Sequence, residues 1–337
     1  MLRSCACACG LLAACALTVP QGAGTFGTVL SAEQQVFRGG ADVIRVFTTV
    51  TDHDGRLVTT LSRDDFEVRD DGKPQPLTVF ENTPQPIRII VLLDVSGSMA
   101  GNLPLLRAAS QQLFARLRPD DLARLGTFGI NVAIGPDFTR DTAELLGALP
   151  ERIPPDAPTP LWRAVDQGIA SFGGNRAAAT ERDDASSRPV ILVMTDGKDS
   201  GPIDFRHDPS SQADVIDHAR DANVMLYAVG MRSRPAPGQR AVMPGFGAAG
   251  LQAALTADLP DPGLARVAEE TGGGYAEIRY GEDLGAAFER VADELHSQYL
   301  LGYAPPKRDG RIHKVDVRVT TKGLKARARK SYVAPRS

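Results

Sequence analysis

Asp94, Ser96 and Ser98 place three hard oxygen donors at two-residue intervals. Such a set suits Mg2+ or a similar cation better than a soft metal. The acid closes the apolar run Ile89–Leu93, which reads as a fully buried strand in the centre of a parallel sheet. The three oxygens then fall in the turn at the strand's carboxyl end, where open α/β sheets hold their ligands. A second apolar run, Val190–Met194, ends in Thr195-Asp196-Gly197, so Asp196 is expected in the same crevice. Thr159 stands just before a helical pattern, in Ala157-Pro158-Thr159-Pro160-Leu161. Asp94 and Asp196 at the ends of adjacent strands would repel each other without a cation, and a buried acid needs a partner. Other readings stand beside these. Ser96 and Ser98 are also ordinary turn residues. Thr159-Pro160 also fits a helix N-cap followed by Pro at N1. Asp199 is either an outer ligand or a solvated loop acid. Trp162 either lines a ligand groove or packs on the sheet.

The elements that must position these residues come from the hydrophobic pattern. Leu106, Ala109, Leu113 and Leu117 repeat at helical spacing, as do Leu161, Val165, Ile169 and Phe172. Strands are expected over 123–128, 132–138, 224–229 and 275–278, and helices over 145–149, 211–221 and 264–271. Leu284, Phe288, Val291, Leu295 and Tyr299 mark a final helix over about residues 282–298. This alternation predicts a doubly wound, mostly parallel sheet. Residues 173–188 and 231–258 read as long loops.

The flanks read as β structure. Residues 42–51 form a strand, and Asp65–Val68 with Leu77–Phe80 form a hairpin turned at Asp70-Asp71-Gly72. At the other end, Val315, Val317 and Val319 alternate with polar residues, as do Leu324, Ala326 and Ala328. Neither flank has enough strands to be stable alone. The economical arrangement is one small β-sandwich from residues 42–87 and 299–334, with an α/β domain over 88–298 inserted between its halves. The basic residues Lys322, Lys325, Arg327, Arg329 and Lys330 either keep a solvent edge soluble or touch an anionic surface.

Composition narrows the function classes. The 337 residues carry 38 basic and 41 acidic side chains, a net charge of −3, which argues against a nucleic-acid binder. All four cysteines, Cys5, Cys7, Cys9 and Cys15, lie in a small-residue apolar stretch behind Arg3 that reads as an export signal over residues 1–23, followed by a linker over 24–41. Two processing routes are open. Leu12-Ala13-Ala14-Cys15 resembles a lipobox that would make Cys15 a lipid anchor, and Gly22-Ala23-Gly24 suits ordinary cleavage. On either route the mature chain has no disulfide framework. The five histidines are scattered, so no catalytic base accompanies the acids and metal-assisted hydrolysis is not favoured.

The ordered set Asp94-Val95-Ser96-Gly97-Ser98, Thr159 before a Pro-Leu helix start, and Thr195-Asp196-Gly197 resembles the metal-ion-dependent adhesion site of von Willebrand factor type A domains. Asp65-Phe66-Glu67-Val68, Asp71-Gly72-Lys73-Pro74 and Tyr299-Leu300-Leu301-Gly302-Tyr303 extend the likeness to a family of bacterial exported proteins related to that domain, over roughly residues 40–334. The resemblance implies a Rossmann-like domain holding Mg2+ (or Mn2+ or Ca2+) at Asp94, Ser96, Ser98, Thr159 and Asp196. In related domains the two Ser and the Thr bind the cation directly and at least one acid acts through water. The implied function is capture of a partner protein's Asp or Glu side chain, with no catalysis. An envelope structural or assembly protein with a merely stabilising metal site is the alternative. The resemblance also implies that the last helix can shift when the metal loop rearranges, which would pull on the sandwich.

Overall fold

Ile87–Asp94 (β5) is buried at every position. Burying one aliphatic side chain contributes ~1.5–3 kcal/mol, so this strand alone anchors the domain. The computed structural model describes residues 43–135, 137–173, 187–200, 210–232, 259–279 and 282–336. The expected signal and linker, and most of the 173–188 and 231–258 loops, lie outside them. So do all the cysteines, and the described residues are held by packing.

In chain order the strands are β1 (Ile44–Thr51), β2 (Phe66–Asp70), β3 (Lys73–Gln75), β4 (Val79–Glu81), β5, β6 (Leu122–Phe128), β7 (Val132–Ile134), β8 (Arg188–Thr195), β9 (Met225–Met231), β10 (Tyr275–Ile278), β11 (Tyr299–Tyr303), β12 (Ile312–Val319), β13 (Lys325–Arg327) and β14 (Ser331–Val333). The helices are α1 (Leu103–Ala115), α2 (Thr142–Gly147), α3 (Leu161–Ala170), α4 (Gln212–Asp221), α5 (Gly263–Thr271) and α6 (Leu284–Leu295).

The central sheet runs β10-β9-β8-β5-β6-β7, and only β7 is antiparallel to its neighbour. Period-2 alternation sends Ile89, Val91 and Leu93 to the face covered by α1, α2 and α6. It sends Ile90 and Leu92 to the face covered by α3, α4 and α5. The expected doubly wound architecture is therefore present, with helices on both faces.

Two antiparallel sheets, β13-β1-β11-β4 and β14-β12-β2-β3, share a third apolar core. Each mixes strands from both ends of the chain, as an inserted α/β domain requires. Three details differ from expectation. The hairpin partner of β2 is Lys73–Gln75, which pairs through Val68↔Gln75, whereas Val79–Glu81 crosses to β11 in the other sheet. The last helix stops at Leu295, and Tyr299 opens β11 with its side chain in the sandwich core. A further strand, β14, pairs with β12.

The junction between the sandwich and the α/β layer is polar. Glu294 on α6 accepts from Thr49 at 2.9 Å and from Tyr227, and pairs with Arg327. Gln298 donates to Thr49 at 2.8 Å and to Tyr227 at 3.2 Å, and accepts from Arg188. No helix among the described residues is long and apolar enough to cross a membrane.

Candidate metal centre

Adjacent parallel strands β5 and β8 end side by side, with Leu93 opposite Met194. Their exits therefore bring Asp94 and Asp196 into one crevice. Asp94 is fully buried and Asp196 is 2% exposed. Both oxygens of Asp94 are oriented: Oδ1 accepts from the Ser96 amide at 2.8 Å, and Oδ2 accepts from the Thr195 hydroxyl. The Ser96 and Ser98 hydroxyl oxygens are 3.1 Å apart, and Ser98 donates to Asp196 Oδ1 at 2.7 Å. Ser96 thus bridges the two carboxylates, its amide bonded to Asp94 and its hydroxyl leading through Ser98 to Asp196.

The loop carrying the serines is fixed from two sides. The Val95 amide donates to Phe128 O at 2.8 Å, which ties it to β6. The Gly97 amide donates to Ala157 O at 2.9 Å, which ties it to the segment carrying Thr159. Residue 97 has to be glycine for this approach, since a Cβ there would lie 1.9 Å from Pro155 O. Thr159 is 9% exposed, and its hydroxyl lies against Gly197, where a Cβ would meet Oγ1 at 3.2 Å. All five expected residues therefore gather at the carboxyl edge of β5 and β8.

The electrostatics suit a cation. Burial pushes the Asp94 carboxyl up to about 6, against the pull of hydrogen bonds from Ser96 and Thr195, and the charge of Asp196 adds to the rise. Burial also raises Asp196. Two buried acids with elevated proton affinity mark a site short of positive charge. The donors are all oxygen, which fits a hard divalent ion. The described histidines are engaged elsewhere: His53 with Asp54, His218 with Asp166, His296 with Asp121 and His313 with Asp70. Two other groups have metal-like composition, the exposed Asp52-His53-Asp54 turn and the Asp70-Asp71-His313 cluster of the sandwich.

Several single-residue readings change. Thr159 is not the cap of α3; Pro160 holds that position, and no side-chain cap bond forms. The Thr159 amide instead donates to Ser200 Oγ at 3.1 Å. Asp199 accepts from the Trp162 amide at 3.3 Å, which places it at the start of α3. Trp162 is 6% exposed and belongs to the apolar core, so it packs on the sheet. In the sequence Thr195 marks only a strand end, and nothing there singles out Ser200. A hydroxyl one residue before the second acid was the available signal for Thr195.

Residues 89–243 match the family model of the von Willebrand factor type A domain. No curated protein matches the chain. Among solved structures, an aerotolerance-related membrane protein from Bacteroides fragilis is similar at 15% identity, covering 62% of this chain and 98% of that one, with a TM-score of 0.42. A von Willebrand factor type A protein from Catenulispora acidiphila shares 12% identity over 77% of this chain and 74% of its own, with a TM-score of 0.44. Proximal thread matrix protein 1 of the mussel byssus, with a zinc-occupied MIDAS motif, shares 16% identity over 68% of this chain and 50% of its own, with a TM-score of 0.42.

Proposed function

We propose that this chain, which carries a von Willebrand factor type A domain, is an exported protein-interaction module that holds a divalent cation at Asp94, Ser96, Ser98, Thr159 and Asp196 and captures an acidic side chain of a partner protein. The observation that carries the reading is the hydrogen-bonded chain from Asp94 through Ser96 and Ser98 to Asp196. Three of the five side chains are neutral hydroxyls, so Mg2+ (or Mn2+ or Ca2+) held there would keep enough positive charge to attract a carboxylate. Ile130, 54% exposed, follows β6 by two residues on the same edge of the sheet and offers the partner an apolar contact beside the captured acid.

The reading is non-enzymatic, since holding a carboxylate on a cation calls for neither a nucleophile nor a base. Export rests on the leader over residues 1–23, with anchoring through Cys15 as one route and release to the periplasm or medium as the other. The division at residues 88 and 299 makes the α/β domain the displayed part and the sandwich its base.

Calorimetry with Mg2+ and Mn2+ tests the site. Saturable binding is expected for the native chain and its loss for the Asp94→Ala, Ser96→Ala double variant; unchanged binding in that variant would defeat the assignment. The alternative, an envelope assembly protein whose ion only stabilises the fold, draws support from the complete burial of Asp94. Pull-down from envelope extract in Mg2+ against EDTA separates the two. A partner retained only with Mg2+ supports capture, and metal-dependent melting without such a partner supports the alternative.

A further inference from the structure

Four arginines converge where the sandwich meets the α/β layer. Arg45 lies on β1, Arg188 opens β8, Arg220 lies on α4 and Arg329 follows β13. All four line a narrow inner cavity of about 20 Å3, room for roughly one water. Arg45, Arg220 and Arg329 also line an outer cleft of about 230 Å3. Arg188 and Thr195 are opposite ends of β8, so this cleft is roughly 23 Å from the metal centre at the strand rise of a parallel sheet.

Two guanidiniums of this region, Arg188 and Arg329, are bonded only to neutral groups. Arg188 is 3% exposed; it donates to Gln298 and to Leu295 O at 2.9 Å, and stacks over Phe47 at 4.4 Å. Arg329 donates to Asn223 and to Arg45 O at 2.6 Å. Every acceptor in those bonds is neutral, and among the described residues neither guanidinium makes an ion pair. The Nε atoms of both are buried with no acceptor. Nearby acids are committed elsewhere: Glu294 to Arg327, Asp217 to Arg220, and Glu269 to Lys330. Glu270 in the inner lining and Asp221 in the outer one are the remaining carboxylates, and neither forms an ion pair among the described residues. Burial pushes both Arg188 and Arg329 down to about 10, although the charges of Glu294 and Asp121 pull Arg188 the other way.

We infer that the Arg45–Arg220–Arg329 cleft, backed by Arg188, binds a dianionic phosphate, free or as a monoester. Arg188 and Arg329 are bonded only to neutral groups, so a bound anion would supply the contact charge they lack. Guanidinium forks arriving from three separate elements suit a tetrahedral anion, which offers acceptors in several directions. A planar side-chain carboxylate would satisfy fewer of them. The occupant would join β1 and the C-terminal strands to α4, stiffening the junction. The site is independent of the metal centre.

Calorimetry of the full chain with inorganic phosphate and with glycerol phosphate tests this, in EDTA so that no divalent cation bridges the anion to the acids. One saturable event is expected with at least one of the two ligands, and none with chloride at matched ionic strength. Arg329→Gln and Arg45→Gln should each weaken binding about tenfold or more, and exposed Lys322→Gln should leave it unchanged. Arg45 is an exposed strand residue, so its variant reports binding even if Arg329→Gln folds poorly. Glu270→Gln should bind as tightly or more tightly. No saturable event into the millimolar range, or equal binding in the arginine variants, would overturn the site. Weaker binding in Glu270→Gln would also overturn the charge argument.

Discussion

Ser98 Oγ donates to Asp196 Oδ1 at 2.7 Å, a hydroxyl from one loop holding an acid from a strand 98 residues later. With Asp94 it fixes two carboxylates in a buried crevice, and that has a thermodynamic consequence. Asp94 has a native pKa of about 6, above the usual 3.8. The native state therefore binds more protons than the unfolded chain between those values, so the contribution of Asp94 to stability in EDTA falls as pH rises from about 4 to 6 and is constant above. The loss is on the order of 3 kcal/mol, from the free-energy equivalent of each pKa unit. Saturating Mg2+ should flatten this slope. Asp94→Asn should remove the metal response and reduce the slope to the part that Asp196 contributes. Urea midpoints from pH 4 to 8, with EDTA and with Mg2+, measure both.

Gly97 sets the closeness of the two loops. A Cβ at 97 would lie 1.9 Å from a backbone oxygen that has no free rotation to escape. Gly97→Ala should destabilise by about 1–3 kcal/mol, the usual cost of overpacking, and should weaken Mg2+ affinity as the serine loop lifts from the Thr159 segment. Gly101→Ala is the control, because the space there is open. Its thermal midpoint and Mg2+ isotherm should match the native chain.

These residues were legible because the information is local. An apolar run followed by Asp-x-Ser-x-Ser says both where the strand ends and which oxygens follow. Asp196 required only the rule that ligands gather at strand carboxyl ends, whereas Thr159 follows no strand and stands out only by its place in the adhesion-site pattern before a helix. The sandwich pairing was harder. Lys73–Gln75 carries no apolar signal, and Leu77–Phe80 looks like the returning strand although Val79–Glu81 pairs in the other sheet. The alternation at 324–329 was visible, but not that the basic face partly turns inward. Arg327 meets Glu294, and the Nε atoms of Arg327 and Arg329 are both buried. Strand periodicity tells two faces apart without saying what lies against each.

The pair Glu294–Arg327 fastens α6 to β13. Removing the acid leaves the Thr49 and Tyr227 hydroxyls without their acceptor and a half-buried guanidinium without its charge. Glu294→Ala should cost about 2–4 kcal/mol, below the full buried-pair range because Arg327 is 33% exposed. Glu294→Gln, which keeps an acceptor, should cost less. If α6 transmits strain from the metal loop to the sandwich, both variants should also change Mg2+ affinity. Paired urea denaturation and calorimetry distinguish a purely structural loss from a coupled one.

His313 lies between carboxylates on both ring nitrogens. Nδ1 is 2.8 Å from Asp70 and 3.3 Å from Asp71, and Nε2 is 3.2 Å from Asp309. Tyr303 and Tyr332 donate to the other oxygen of Asp70 at 2.9 and 2.7 Å. An acceptor at each nitrogen favours the protonated ring. The hydrogen bond to Asp70 leads in raising its pKa above 6.5, against the desolvation that lowers it. A histidine raised in the native state contributes its stabilisation fully below the unfolded value, and that contribution disappears as pH rises through the native one. The urea midpoint should therefore fall on going from pH 6 to pH 9. His313→Gln should be less stable than the native chain at pH 6 and close to it at pH 9. A constant difference between the two across that range would mean that the ring contributes by packing against Tyr332, 5.6 Å between centroids, and not by charge.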